Sequence, residues 1–406
     1  MLNLFKKGIN NTTFSKENNK LNSNFNKTYI SELGEPVWMK REYIQFADEA
    51  YCRNVIAHRC ISLLAKSGSS VEWQALLQNN YSNKKEITKN HALLDLITRP
   101  NPLQSGNEFF ESLIAFILIA GNCFIQVIKN GNKPTELFIL RPDRVSIISN
   151  GKSIPLAYRY KINNDEKYYH VDQLTGRSEI LHLKHFHPLD DFYGLSPIEA
   201  AAYSIDQHNQ AAKWNQSLLQ NSARPSGALV VKGEGGMPGM LSETQFNRLR
   251  NQIDKEFTGD SKIGRPLLLE GGLEWHEMSL TNKDMEFLEA KNSAAREIAL
   301  AFGVPPQLLG IPGDNTYSNL QEARLALWEE TIFPLLDYIT NALNHWLEPY
   351  YNYEAKLIYN KDNISALSAR REMLWQKIEQ SNFLTVNEKR EILGYGPIKN
   401  GDTIKQ

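Results

Sequence analysis

The chain has 406 residues, of which 41% are hydrophobic and 22% charged, and its formal net charge is −1 at pH 7. This length predicts two or more domains, and the composition is that of a soluble globular protein. A protein that grips phosphates tightly is normally basic, so the near-neutral balance argues against strong binding to nucleic acid.

The N-terminal third predicts an α+β arrangement. Residues 1–32 are rich in Asn, Lys, Ser and Thr and predict a disordered arm without the apolar core of a signal peptide. Ser105 followed by Glu108 predicts a capped helix that ends at Gly121, with an apolar run too short to cross a bilayer. Spacing predicts one further helix and five strands, over residues 54–64, 123–129, 136–140, 158–161, 168–171 and 180–184.

The middle of the chain predicts a small module between two long helices. The first helix has Ser196 as its N-cap and Pro197 at its first position, and it ends before Pro225. The second starts near residue 281 and ends at Gly303, which suits a left-handed C-cap. The module between them predicts a β-α-β-β order, with strands over 229–231, 267–269 and 273–278 and a helix capped by Ser242 and Gln245.

The C-terminal third predicts mostly helix. A glycine-containing loop over residues 309–318 leads into one long helix over 319–347. Pro334 predicts a kink in this helix, because it has no amide hydrogen for the carbonyl of Glu330. Two shorter helices follow, over 365–380 and 385–393, and Thr385 with Glu388 forms the capping pattern of the second.

The first long helix carries few charges between residues 197 and 220: only Glu199, Asp206 and Lys213. The remaining polar side chains are neutral and alternate with Ala and Leu. Such a helix can pack beside copies of itself and form a weakly charged wall, or it can be an ordinary partly buried helix. The periodicity favours neither alternative.

Two glycine patterns resemble nucleotide-binding loops, but their spacing does not match those motifs. Gly151-Lys152-Ser153 resembles the end of a phosphate-binding loop, but Ser146 occupies the position of the required glycine, so a hairpin turn is favoured. Glycines 233, 235, 236 and 239 follow a strand, but Pro238 stands where the third glycine of a dinucleotide loop belongs. We therefore predict no bound cofactor.

A cluster of histidines and aspartates is the strongest candidate for a metal site. It contains His182, His185, His187, Asp190 and Asp191, whose side chains suit zinc or iron. On a strand, however, His182 points away from the other two histidines, because successive side chains alternate between faces. We predict no metal site and no catalytic residues, with a metal-dependent nuclease that uses this cluster as the alternative.

Three cysteines, Cys52, Cys60 and Cys123, include no Cys-x-x-Cys pair. Buried thiols in a reducing compartment are the expected state.

Several segments resemble signature segments of tailed-bacteriophage portal proteins, the closest group being that of long-tailed phages, prophages and gene transfer agents. These segments are YGLSPIE at 193–199, NSARPSG at 221–227, LEGGLEW at 269–275, AFGVPPQLLG at 301–310, YSN at 317–319 and NEKR at 387–390. The resemblance spans roughly residues 38–402. It implies an α+β portal-type subunit with an α+β wing, a two-helix stem, a small clip, a long kinked tunnel helix and a short helical crown.

The resemblance also implies boundaries for these parts. They are the N-terminal arm at 1–32, wing at 33–195, first stem helix at 196–226, clip at 227–280, second stem helix at 281–303, tunnel loop at 304–318, the long helix returning to the wing at 319–363 and crown at 364–406.

By the same resemblance, the expected function is that of a ring, expected to be dodecameric, at a unique capsid vertex. The ring would be the channel for packaging and ejecting double-stranded DNA, in the virion, after assembly in the bacterial cytoplasm. Implied partners are the terminase large subunit, a head-completion adaptor, and the major capsid and scaffolding proteins, with no membrane. Another head-tail connector or capsid component is the structural alternative.

The implied sites are loop and surface positions. The tunnel loop facing DNA would include Gly310, Gly313, Asn315 and Tyr317. Basic residues facing DNA would be Lys213, Arg224 and Lys291, and docking of the motor would involve Lys262 and Arg265 of the clip.

Overall fold

The computed structural model describes residues 42–78, 85–88, 90–149, 154–221, 227–231, 242–248, 273–277, 283–311, 317–352, 355–361, 363–381, 383–392 and 398–402. The arm predicted for residues 1–32, the hairpin turn at 150–151, the strand at 267–269 and the glycines at 233–239 lie outside these residues.

The helices fall into an N-terminal group, a central pair and a C-terminal group. The first group contains α1 (Tyr43–Gln45), a π-helix (Phe46–Cys52), α2 (Val55–Ser69), α3 (Ala92–Thr98) and α4 (Gly106–Ala120). The central group contains α5 (Pro197–Ala200), α6 (Ala202–Asn221), α7 (residues 243–248) and α8 (Lys283–Ala301). The last group contains α9 (Tyr317–Ala326), a π-helix (Leu327–Ile332), α10 (Phe333–Leu347), α11 (Ser368–Gln380) and α12 (Val386–Ile392).

The strands form small antiparallel sheets. Their bounds are β1 Glu72–Gln78, β2 Lys85–Thr88, β3 Asn122–Asn130, β4 Lys133–Leu140, β5 Val145–Ile148, β6 Ala157–Ile162, β7 Asp165–His170, β8 Ile180–Lys184, β9 Gly227–Val231, β10 Leu273–Glu277 and β11 Ala355–Asn360. Among the described strands, the sheet orders are β11-β1-β2, β4-β3-β8, β5-β6-β7 and β10-β9. The α+β prediction is confirmed.

One large core joins distant parts of the chain. Phe109, Leu113 and Ile117 of α4 are fully buried, and the same core contains Ile298 of α8 and Leu336 of α10. A second, smaller core lies between two sheets, where Phe124 of β3 packs with Tyr158 of β6 and with its neighbours. The α8–α10 part of the chain therefore folds onto the N-terminal α+β part.

The predicted caps are present. Ser105 and Glu108 form a reciprocal capping box on α4, and Gly121 ends that helix with a φ of 69°. Thr385 and Glu388 form the same motif before α12, at 2.8 Å between the Thr385 amide and a Glu388 oxygen. Ser242 and Gln245 do so at α7.

Two long helices are less regular than predicted. The first is broken at Ala201, which is buried; there tertiary packing overrides a helical pattern that is otherwise continuous. The predicted helix over 319–347 contains a π-helical segment immediately before Pro334, with Phe333 N bonded to Trp328 O. The wider π-turn shifts the hydrogen-bond register ahead of the proline, which cannot donate to Glu330. Residues 348–363, assigned with this helix, contain β11 instead of continuing it.

Other differences concern burial and strands. The helix predicted over 54–64 extends to Ser69, because its buried face continues through Ala65 and Gly68. Cys60 and Cys123 are buried, but Cys52 is exposed at the end of its π-helix, so the expectation of a buried thiol is wrong there. Strands β1, β2, β5 and β11 were not predicted.

Candidate functional site

The two long central helices, α6 and α8, lie side by side. Ser204 Oγ of α6 donates to Glu297 Oε2 of α8 at 2.5 Å. Further along, both helices line one groove, formed by Gln207, Gln210, Ala211, Trp214, Ala290 and Lys291. On α6, Ile205 and Ala211 are buried while Trp214 is 40% exposed. The helix is therefore partly buried within one subunit, and it also presents a large aromatic side chain to its surroundings.

A buried polar network joins the base of α6 to the start of α2. Asn54 caps α2 by accepting bonds from the amides of Ile56 and Ala57. Its Nδ2 donates to Asn209 Oδ1 at 2.9 Å and lies 3.2 Å from His208 Nδ1. Burial, and then the charge of Lys291, lower the pKa of His208, so the ring favours the neutral form. These bonds fix where the helix pair leaves the core.

The basic residues proposed to face DNA are only partly described. Lys213 lies exposed on α6, and Lys291 lies half-buried on α8, beside the groove that holds Trp214. Arg224, Lys262 and Arg265 lie outside the described residues. The structure therefore places Lys213 and Lys291 on adjacent helices and leaves the other three positions untested.

The loop after α8 begins at a fixed point. Gly303 has a φ of 63°, and its carbonyl accepts a bond from Thr331 Oγ1 at 2.6 Å. A short 3-10 turn, Pro306–Leu309, then ends at the exposed Gly310, where φ is 72°. Gly313 and Asn315 lie outside the described residues, and Tyr317 is the first residue of α9. Only the two ends of this loop are therefore positioned.

The histidine and aspartate cluster forms structural bonds. His182 Nε2 lies 3.0 Å from Asn122 Oδ1, and its ring stacks on Phe124 with 4.3 Å between ring centroids. His187 Nδ1 accepts from the amide of Leu189 at 3.0 Å. His182 therefore packs beside Phe124, its cross-strand neighbour on β3.

The two aspartates of this cluster hold a turn. Asp190 Oδ1 accepts from the amides of Phe192 and Tyr193. Burial raises the pKa of this carboxyl, but the two amide bonds together with the charges of His187 and Lys184 lower it overall. The backbone carbonyl of Asp191 accepts from Lys184 Nζ. Among the residues that the structure describes, no three His, Cys, Asp or Glu side chains are grouped as metal ligands would be. The geometry gives the nuclease alternative no support.

Sequence reasoning missed Asn54, Asn122 and Thr331. Asn54 directly precedes a helical pattern, and an Asn there is an N-cap signal that could have been found. Asn122 and Thr331 form hydrogen bonds with residues 72 and 28 positions away, and no local sequence pattern indicates such bonds. In the described part of the chain, no helix is long and apolar enough to span a membrane.

Comparison with known proteins defines the class of this molecule. A family model described as phage portal protein matches residues 56–394. The chain belongs to the phage portal protein family.

Three similar proteins add detail to this family assignment. A protein of Rickettsia bellii is 47% identical over 94% of this chain and 97% of its own length. The portal protein of Enterobacteria phage HK97 is 25% identical over 87% of this chain and 82% of its own. A solved neck of an empty gene transfer agent particle, computed with C6 symmetry, contains a chain that is 40% identical, with a TM-score of 0.72 over 90% of this chain and 96% of that one. These findings support the portal interpretation over the metal-dependent nuclease.

Proposed function

We propose that this chain is the repeating subunit of a closed ring at one vertex of a phage-like virion, and that the ring is the channel for double-stranded DNA during packaging and ejection. The observation that carries the proposal is the similarity, over 90% of the chain, to a protein in the solved neck of a gene transfer agent particle. Related necks were computed with C6 and C12 symmetry, so we expect twelve subunits.

The parts of the subunit have separate roles in this proposal. The wing is residues 33–195, joined by the long helix and β11 at 319–363, and the described residues of both segments share one core. The stem is the α6–α8 pair, and the loop at 304–318 faces the DNA. Residues 227–280 form the clip, where the terminase large subunit and later a head-completion adaptor dock through a surface that includes Lys262 and Arg265. Residues 364–406 form the crown.

A sliding duplex requires weak contacts. Each tight contact with a phosphate would resist the movement of the duplex, and a net charge of −1 is consistent with few such contacts. Lys213 and Lys291 supply isolated positive charges on the stem, and Arg224 would add one beyond it. The subunit guides DNA and carries no chemical step in this proposal, so the packaging motor supplies the work.

The mass of the native assembly tests the ring. We expect purified full-length protein to give a species of about twelve subunits of 46.4 kDa by native mass spectrometry, with a central hole in electron micrographs. A protein that stays monomeric at high concentration would contradict the proposal.

Charge reversal tests the channel. In a packaging assay with rings assembled from variant subunits, Lys213→Glu and Lys291→Glu should lower the amount of DNA packaged, because twelve added negative charges repel the duplex at each position. Lys133→Glu, at the exposed first residue of β4, is the matched control and should package normally. Gly313→Pro should also reduce packaging if the loop must move as DNA passes. Normal packaging by all the stem and loop variants would exclude these positions from the channel.

A further inference from the structure

The C-terminal helical segment exposes apolar side chains at high density. Its largest examples are Phe383, which is 75% exposed, Met373, which is 61% exposed, and Trp375, which is 47% exposed. Leu374, Ile392 and Ile398 are also exposed. Several large apolar side chains exposed within one short segment indicate a contact with another molecule.

The segment has little apolar support from the rest of its own chain. In α11, Ile378 is the only buried residue among the side chains that the structure describes, and the described side chains of α12 include none that is buried. An isolated helix of 13 residues is marginal in water, and helices in proteins gain most of their stability by burying a face. Because the described residues of the chain do not supply this burial, we look for it in another molecule.

Polar bonds nevertheless give the segment a defined shape. Asn387 Oδ1 accepts from the amide of Ile398 at 2.8 Å, and its Nδ2 donates to Asp402 Oδ1 at 2.7 Å. Lys389 Nζ donates to the carbonyl of Glu379, which ties α12 to the end of α11. Gly401 lies directly against this amide, since a Cβ at that position would come within 2.2 Å of Asn387 Oδ1. A preformed segment binds a partner at a lower entropic cost than a disordered one.

The exposed apolar groups lie on more than one side of α11. Met373 precedes Ile378 by five positions, which at about 100° per residue places it about 140° around the helix from the buried side. Leu374 and Trp375 flank the buried side. A partner that touches Met373 therefore contacts a face that the subunit itself does not use.

The charges of α11 fit a second copy of the same helix. Arg370, Arg371 and Lys377 are positive, and Glu372 and Glu379 are negative. A surface that carries charges of both signs can pair with an identical surface that is displaced around a ring, whereas a strongly acidic or basic partner would meet like charges.

We propose that α11 and α12 form subunit–subunit contacts, in which Met373, Trp375 and Phe383 are buried against the two neighbouring copies of this chain. The inference rests on the proposed ring and assigns it a specific contact surface. The C6 and C12 symmetry of the related necks makes identical copies the neighbours that each subunit meets.

Hydrogen exchange on the full-length protein tests the contact directly. Ring and monomer fractions are separated by size and labelled under the same conditions. Amides of Ser368–Gln380 should exchange at least about tenfold more slowly in the ring, since burial against a neighbour suppresses local opening. Amides of Gly106–Ala120, which lie in the core of each subunit, should exchange equally in both fractions and serve as the internal control.

Substitutions test which side chains matter. Met373→Glu and Phe383→Glu should raise the protein concentration needed for ring formation by about tenfold or more, because each places a charge in an apolar contact. Glutamate is a good helix former, so Met373→Glu preserves α11 in the monomer. The matched control is Leu174→Glu, at a leucine that is 96% exposed in the turn between β7 and β8; it should assemble as the wild type does.

The outcomes separate this inference from the proposed function. Rings that form normally from the Met373 and Phe383 variants, without protection of Ser368–Gln380, would overturn the contact and leave the ring intact. Equal loss of assembly in the Leu174 control would also overturn it, because the effect would then not be specific to this segment. A wild-type protein that never leaves the monomeric state would refute both proposals.

Discussion

At the scale of single residues, Asn122 shows how a side chain fixes the geometry of a distant loop. Its Nδ2 donates to Gly194 O at 3.1 Å, and its Oδ1 accepts from Gly194 N at 2.8 Å, across 72 positions of the chain. The same oxygen faces His182 Nε2. Because a buried amide that loses a partner costs about 1–3 kcal/mol, these bonds hold the segment before α5 against the end of α4.

Gly121 permits this close approach, and its replacement is our first prediction. Its φ is 69°, and a Cβ would lie 2.4 Å from the carbonyl oxygen of Gly194. Gly121→Ala should lower the free energy of unfolding by about 2–4 kcal/mol, from left-handed strain together with overpacking. Urea denaturation of the two proteins measures the loss.

Gly131 is the matched control for Gly121. It also has a positive φ, 63°, but no atom lies within 4 Å of the position that a Cβ would take. Gly131→Ala should therefore cost only the strain of the left-handed conformation, about 1–2 kcal/mol. Equal losses in the two variants would show that backbone conformation, and not the contact with Gly194, requires glycine at 121.

The buried ring of His182 predicts a pH dependence. Burial, and then the charge of Lys184, lower the pKa of His182 from 6.5 to about 3. The unfolded chain therefore binds a proton that the folded protein does not, so this stability is complete above about pH 6.5 and falls steadily as the pH drops towards 3. Between pH 7 and pH 5, His182 should contribute up to about 2 kcal/mol to the loss.

The free energy of unfolding, measured at several pH values, tests the contribution of His182. The fall in the free energy of unfolding should be smaller in His182→Gln, which cannot take up a proton. Part of the fall should remain, because burial also lowers the pKa values of His185 and His208. An unchanged pH profile in the variant would contradict the assignment.

At the scale of elements, the junction between α8 and the C-terminal helices is a specific contact. The chain leaves α8 at Gly303, and the π-helix Leu327–Ile332 contacts it there through Thr331. The π-helical segment that precedes Pro334 therefore lies where α8 meets the helix that follows it. A π-helical segment often marks a functional position, here the point from which the loop at 304–318 departs.

Removing one hydroxyl tests this junction. Thr331→Val should lower the free energy of unfolding by about 1 kcal/mol, because the carbonyl of Gly303 loses its donor. Amide exchange should become faster over residues 301–311 and stay unchanged in α4. Thr135→Val, which removes a 3.2 Å bond to the Ile128 carbonyl in the β3–β4 hairpin, is the control and should not affect residues 301–311.

At the scale of the whole molecule, ring assembly should change how the melting temperature depends on protein concentration. If folding and ring formation are linked, the ring stabilises the folded subunit by mass action. The melting temperature should therefore rise with protein concentration. Met373→Glu should melt with a weaker concentration dependence than the wild type. A melting temperature that is independent of concentration, in a wild-type sample shown to be a ring, would mean that subunits unfold without first leaving it.

Much of the fold was predictable from local chemistry. The caps at Ser105, Ser196 and Thr385, the helix end at Gly121 and the left-handed Gly303 lie as predicted, because a cap is decided within one turn of helix. Among the site residues, Gly310 is exposed at the end of its 3-10 turn and Lys213 is exposed on α6. Their proposed contacts with DNA stay predictions.

The unpredicted strands have a different origin. Glu72 of β1 pairs with Asn360 of β11 across most of the chain, and Trp73 stacks on Phe110 of α4. Short strands of this kind are stabilised by cross-strand neighbours and burial, which a local pattern does not contain. The same is true of the network around Asn54, where only the cap could be anticipated from the sequence.

The sequence alone determined the helix caps, the α+β class, the near-neutral charge and the family, since these depend on side chains close together along the chain or on motifs in a set order. Tertiary structure decided that β11 completes the first sheet, that the ring of His182 stacks on Phe124, and that the C-terminal helices leave apolar groups exposed. Each of these depends on which distant surfaces meet, and burial, which provides most of the stabilising free energy, is a property of the folded chain.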